Sequence, residues 1–201
     1  IANRFGTTQE IGIFEMTAEG LREVPEGAGL PAASAGEPRP GSVVCPSISG
    51  TRCVLVEIQA LTATGFIAAA KRKCSGLDSN RLAMIIAVLE QHAELRLADR
   101  DIFASAVGGV KVAEPAADLA LLLAIAGAQF RRKLGKGTAA VGEVGLGGEV
   151  RPVTQLDQRI REAARLGYTR IIVPHEGRRE PIAGIEIIRV KTVNNAVQAL
   201  E

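Results

Sequence analysis

Tryptophan is absent and aromatic side chains make up only 3% of the sequence, so the core must be built from Leu, Ile, Val and Ala. No row of rings is available on which single-stranded bases could stack. Cysteine is scarce as well. Cys45, Cys53 and Cys74 are odd in number, never spaced C-x-x-C, and far in sequence from the two histidines, His92 and His175. That pattern argues against a disulfide framework or a metal site and fits a reducing cytoplasm, with the cysteines acting as small apolar residues and the histidines as isolated imidazoles. The longest apolar run, Leu119 to Ala128, is roughly half the ~20 residues a membrane-spanning helix needs. Nothing at the N-terminus resembles a signal peptide, so a soluble chain with no membrane partner is expected. Neither sign of charge dominates: 24 Lys and Arg against 22 Asp and Glu leave +2, and a nucleic-acid surface would have to come from local clustering. The chain begins at Ile1 with no methionine, which suggests a fragment or a processed chain.

What is present is enough apolar material for a substantial core: 47% hydrophobic residues over 201 positions, suited to one domain or one with an appendage. Ile11, Ile13 and Phe14 followed by a turn at Glu19 and Gly20 predict an edge strand or hairpin. Residues 25–40, rich in Pro, Gly, Ala and Ser, read as a linker, with the globular body from Gly41 to the end. Within that body "RCVLVEIQAL" reads as a strand. "DSNRLAMIIAVLEQHAEL" reads as a helix capped by Asp78 or Ser79, with Leu82, Ile85, Ile86 and Leu89 on one face. "RDIFASAV" is the next strand, and Pro115 to Phe130 a buried, almost wholly apolar helix with its proline at the first turn. The Gly-punctuated "AAVGEVGLGGEVRPV" predicts a hairpin. A helix from Leu156 to Leu166, strands "TRIIVP" and "IEIIRV", and a helix from Val193 to Leu200 capped by Thr192 complete the chain. Irregular alternation of strands and helices predicts an α+β or mixed α/β fold with helices packed on a sheet.

"EPAADLA" followed by "GEVGLGGEVRPVTQLDQRIREAARLGYTRIIVP" resembles the proteolytic domain of the Lon protease family. The hairpin pattern falls on Gly142, Glu143, Leu146, Gly148 (shifted within its turn), Val150 and Pro152. The resemblance implies a Lon-protease-like sheet with packed helices (ribosomal protein S5 domain 2-like). It also implies that the nucleophilic serine position is Ala116 and the lysine position Asp157. A Ser-Lys dyad needs a hydroxyl to attack and an amine to take its proton. Ala116 supplies no nucleophile, none of the seven serines lies at that helix start, and Asp157 has no hydroxyl to activate. The dyad is lost, and an active Ser-Lys peptidase is the weakest of the readings.

Over nearly the whole chain, "NRFG", "EIGIFEM", "GTRCVLVEIQAL", "GLDSNRLAMIIAVLE" and "GGVKVAEPAADLALLLAI" resemble the RadA (also called Sms) family of bacterial DNA recombination and repair proteins. That resemblance implies residues 1–24 as the tail of a RecA-like ATPase domain, 25–40 as a linker and 41–201 as the Lon-like domain. The family motif would be Asn3, Arg4, Phe5 and Gly6, with Ala2 standing where the family has lysine. Arg4 and Asn3 would then couple ATP hydrolysis to DNA movement, since a guanidinium bridges phosphates bidentately. No phosphate loop exists here: "LGKGT" has its lysine, but Phe130 occupies the first required glycine. ATP with Mg, and zinc, are therefore expected only in N-terminal domains outside this chain, with no cofactor and no metal in it.

The resemblance further implies a homo-oligomer, a hexameric ring, acting as part of an ATP-dependent branch-migration motor in homologous recombination and repair. The implied partners are single-stranded and branched DNA, bound without regard to sequence, and a recombinase filament. The implied location is the bacterial cytoplasm at the nucleoid. Candidate DNA contacts are Lys71, Arg72 and Lys73, read as lying just before a helix start at Gly76–Asn80 whose free N–H groups would help, and Arg131, Arg132, Lys133 and Lys136. Solvated charge for the first cluster and offset of the helix dipole for the second are the structural alternatives. Asp118 reads as a helix N-terminal charge and Asp157 as a surface partner of Arg161. The rival to DNA contact is an oligomerisation scaffold that touches no DNA itself.

Overall fold

The computed structural model describes residues 13–17, 20–24, 37–50, 52–66, 69–177 and 180–201. The Asn3–Gly6 motif and residues 25–36 of the expected linker lie outside them. Strands β1 (Ile13–Thr17) and β2 (Gly20–Val24) form the hairpin anticipated from Ile13 and Phe14. Among the described residues they pair only with each other, as a separate two-stranded sheet rather than as the edge of a larger one.

The main sheet has seven strands: β3 (Ser42–Ser49), β4 (Arg52–Thr64), β5 (Arg72–Ser75), β6 (Arg100–Ala106), β7 (Thr138–Ala140), β10 (Arg170–Pro174) and β11 (Glu186–Val190). Their order is β11-β10-β7-β3-β4-β6-β5. Only β4 runs against the rest; the β11-β10, β10-β7, β7-β3 and β6-β5 pairs are parallel. The short hairpin β8 (Glu143–Val144) and β9 (Val150–Arg151) stands apart from the sheet.

Helix α2 (Asp118–Phe130) is the centre of the core, buried at every position from Asp118 to Gly127, as its all-round apolar sequence demands. A single turn of 3-10 helix, Pro115–Ala117, precedes it, with the proline where a missing N–H costs nothing. Helices α1 (Ser79–His92) and α4 (Val193–Val197) lie against α2 in one layer. Helix α3 (Leu156–Arg165) packs on β3 and β4. Successive side chains of a strand point to opposite faces, and Val43 to Ser47 are all buried, so both faces of β3 are covered. The Cys45 face meets the start of α2, through Sγ at 3.9 Å from the Ala116 carbonyl oxygen, and the other face meets α3. Farther out, β6 buries Ile102, Ala104 and Ala106 and leaves Asp101, Phe103 and Ser105 half-exposed, because no helix covers its α3-side face.

Asp78 caps α1, accepting from the Arg81 N–H at 2.9 Å, and Thr192 caps α4, accepting from the Asn195 N–H. α4 stops at Val197 rather than Leu200. The chain then turns to exchange backbone hydrogen bonds between Glu201 and Lys133. No helix among the described residues is long and apolar enough to cross a membrane.

Candidate functional site

Ala116 sits in the 3-10 turn ahead of α2, 4% exposed, and its surroundings interlock through backbone alone. The Gly142 N–H donates to the Ala116 carbonyl at 2.9 Å, and the Leu119 N–H donates to the Gly142 carbonyl at 3.0 Å. The glycine just before the β8-β9 hairpin is thereby tied to the turn at Ala116. Asp157 lies in the first turn of α3. Neither Ala116 nor Asp157 carries a hydroxyl or an amine, so the two cannot act as a Ser-Lys pair.

Two residues before Ala116 and two after Asp157, a side-chain pair joins the same elements. Arg159 is 1% exposed, with every nitrogen engaged: Nε donates to the Thr154 carbonyl at 2.9 Å, Nη1 to the Pro46 carbonyl and Glu114 Oε1 at 2.8 Å each, and Nη2 to Glu114 Oε2 at 2.7 Å. Glu114 also accepts from the Ile48 N–H at 2.7 Å. Burial pushes the Glu114 carboxyl up, but the bonds from Arg159, Ser47 and Ile48 outweigh it and hold the group below the usual carboxylate range. Burial likewise works against the Arg159 cation, and Glu114 more than restores it. The pair was not singled out in the sequence, although a signal is there. The inward stripe of α3 reads Leu156, Arg159, Ile160 and Ala163, and a charge on an otherwise apolar inner face requires a partner.

The pair also completes β3. Beyond the single β3-β7 register point, Val44 against Ala139, β3 has no second strand beside it among the described residues. There the Pro46 carbonyl and the Ile48 N–H, two residues apart and so on the same edge, are taken by Arg159 and Glu114 in place of a ladder. Pro46 is tolerated inside the strand because its missing N–H falls on this edge, not on the β4 side.

Asp118 is more than a helix-terminal charge. At 3% exposed, it forms an ion pair with Arg81 of α1 and accepts from the Val144 N–H at 3.2 Å, joining α1, α2 and the hairpin. His92 has a partner too, its Nε2 lying 2.9 Å from the Leu146 carbonyl oxygen at the hairpin tip. Cys45 is buried, with burial pushing its thiol far above the ordinary value, and burial also pushes Cys53 up to about 12. Burial thus disfavours the thiolate form at both positions. Among the described residues there is no group of three or more His, Cys, Asp or Glu placed to hold a metal ion.

The structure corrects the setting of the first basic cluster. Lys71 immediately precedes the edge strand β5, and Arg72 and Lys73 lie in it; all three are exposed. They do not abut free helix N–H groups, since α1 begins at Ser79 and Asp78 occupies its cap. The charge run concealed a short strand that pairs parallel with β6 from Arg72 against Ile102 to Ser75 against Ser105. The second cluster follows α2. Arg131 is its C-cap in the left-handed region (φ 56°), Arg132 and Lys133 are exposed, and Lys136 pairs with Glu37 at 3.1 Å. "LGKGT" runs from a loop into β7, not into a helix, which is the wrong context for a phosphate loop. Both clusters lie at the end of the sheet where β5, β6, β3 and β7 begin. From β7 to β5 is four strand steps, about 19 Å at about 4.8 Å each.

Residues 86–198 match the model of the Lon protease (S16) C-terminal proteolytic domain. The chain is 44% identical over 201 residues to the DNA repair protein RadA of Pseudomonas aeruginosa, covering 100% of this chain and 44% of that protein. It is 45% identical over 198 residues to RadA of Haemophilus influenzae (98% and 43%) and 43% identical over 203 residues to RadA of Bacillus subtilis (98% and 44%). The chain thus spans less than half the length of these curated relatives.

Proposed function

The chain belongs to the Lon protease C-terminal proteolytic domain family, and on that premise we propose that it serves DNA repair as a non-proteolytic, DNA-binding and oligomerisation domain. The observation that carries the reading is the placement of two exposed basic clusters at one end of a sheet whose nucleophile position is Ala116. The similarity to proteins named for DNA repair supports it. In this reading the rest of a RadA-type protein supplies ATP turnover, with Asn3 to Gly6 as its coupling motif. The chain grips phosphates as one subunit of a hexameric ring that drives branch migration during recombination, alongside a recombinase filament, at the bacterial nucleoid. Phosphate contacts give affinity without sequence preference, which suits a moving motor.

A scaffold that touches no DNA is favoured by a different observation: two large apolar side chains, Leu61 in β4 (61% exposed) and Phe66 two residues beyond it (83% exposed), are left uncovered among the described residues. Fluorescence anisotropy with labelled single-stranded, duplex and branched oligonucleotides, run beside light scattering, separates the two. Self-association with binding to all sequences alike is the expected result; self-association without binding supports the scaffold.

A further inference from the structure

A single strand of DNA can turn its base faces outward, and an open aromatic ring beside a run of cations is enough to engage them. Composition excludes a long row of rings, yet the sheet register sets one ring next to the first basic cluster. Phe103 of β6 pairs with Leu61 of β4 on one side and with Lys73 of β5 on the other. Cross-strand partners share a face, and the half-buried Cys74, partner of Ala104, packs towards the core, so Lys73 stands with Phe103 on the opposite face. An exposed leucine, a half-exposed ring and an exposed cation therefore form one row across three strands. The neighbouring row, Gln59, Ser105 and Ser75, is uncharged. Phe66, 83% exposed, follows the end of β4 on the Lys71 side. A Cβ on Gly65 would meet Asp101 Oδ1 at 2.6 Å, and that same oxygen accepts from the Lys71 N–H at 2.8 Å. One carboxylate thus ties the residue before Phe66 to the first cation of the cluster, and Lys71, Arg72 and Lys73 outnumber its charge.

Two rings of about 150–250 Å² each and one leucine fall short of the roughly 800 Å² per partner that a stable protein interface buries, so the patch alone does not seat a second copy. Three adjoining cations favour a polyanion instead. Duplex DNA offers phosphates to those cations but keeps its base faces stacked inside, out of reach of the rings. We propose that this patch binds single-stranded DNA, with bases stacked on Phe66 and Phe103 and phosphates along Lys71, Arg72 and Lys73. Leu61 extends the apolar surface beside Phe103. The inference rests on the DNA reading of that cluster and adds to it a preference for unpaired strands, because the rings contribute affinity only where base faces are open.

Fluorescence anisotropy with a labelled oligo-dT strand and a labelled blunt-ended duplex, at several salt concentrations, tests this on the native chain, Phe66→Ala and Phe103→Leu. Each substitution should weaken oligo-dT at least about fivefold, the smaller effect of losing one stacked base. Duplex affinity should stay within about twofold and the salt slope should not change, because no phosphate contact is lost. Phe66 is exposed enough that Phe66→Ala should leave Tm unchanged. Phe66→Trp gives the chain its only tryptophan; it should keep oligo-dT affinity and lose emission when a base stacks on the indole. Unchanged oligo-dT affinity in Phe66→Ala, or equal weakening of oligo-dT and duplex, would overturn the proposal while leaving the DNA reading in place. So would light scattering in which Phe66→Ala breaks up a self-associated chain without selective loss of oligo-dT, which assigns the patch to a second copy. Binding of neither probe by the native chain would overturn both.

Discussion

The Glu114–Arg159 pair shows how much of this molecule turns on single side chains. A buried arginine with all its nitrogens bonded is stable only while its carboxylate is present, because the unpaired ion keeps its desolvation cost. Arg159→Ala or Glu114→Ala should cost about 3–5 kcal/mol, whereas Arg159→Met with Glu114→Leu should cost less than the sum of the two, since no unpaired charge is left, though the Pro46 carbonyl and Ile48 N–H lose their partners. The depressed Glu114 carboxyl adds stability that is present above the unfolded carboxylate pKa of about 4.3 and is lost as pH falls through its lower folded value. Thermal melts from pH 2 to 7 should therefore show a steeper acid loss in the native chain than in Glu114→Gln. Ala116 gives the complementary prediction. A serine-directed phosphonate should not label the native chain, since Ala116 has no hydroxyl, nor Ala116→Ser if the base position is Asp157, as the family resemblance implies; mass spectrometry showing an adduct on residue 116 in Ala116→Ser would contradict this.

Among the elements, C-caps and short strands are where sequence and structure part. Arg131 adopts φ 56° at the end of α2, a region costing a non-glycine residue roughly 1–2 kcal/mol. Arg131→Gly should raise Tm and lower DNA affinity together if the guanidinium serves DNA, and raise Tm alone if it only ends the helix; differential scanning fluorimetry with anisotropy reads both. The helices were legible because amphipathic spacing and caps are local: Leu82, Ile85, Ile86 and Leu89 with Asp78 marked α1, and Thr192 marked α4. β3 was not, since burial on both faces removes the alternation and Pro46 argues against an inner strand, a conflict resolved only by side chains distant in sequence. β5 was hidden because four residues, three of them exposed, read as a charge run before they read as an edge strand. The loss of the dyad is what the family resemblance implies, whereas the Glu114–Arg159 contact needed the fold that brings α3 beside β3.

Taken as a whole, the molecule keeps the frame of a peptidase domain while its charged surface gathers elsewhere. Net charge is only +2, so any hold on DNA depends on where the cations stand. The sheet order places Lys71–Lys73 and Arg131–Lys136 towards the end where β5 and β7 begin, on strands four steps or about 19 Å apart across the sheet. The most direct test is DNA affinity at several salt concentrations for the native chain and for two triple alanine variants, one at Lys71, Arg72 and Lys73, the other at Arg131, Arg132 and Lys133. Each phosphate contact should contribute a log-log slope of about −0.9 on duplex and about −0.7 on single strands. Each triple variant should flatten the duplex slope by up to about 2.7 and weaken every sequence alike. If both variants keep the native affinity and slope, the DNA-binding account is contradicted and the scaffold reading takes its place.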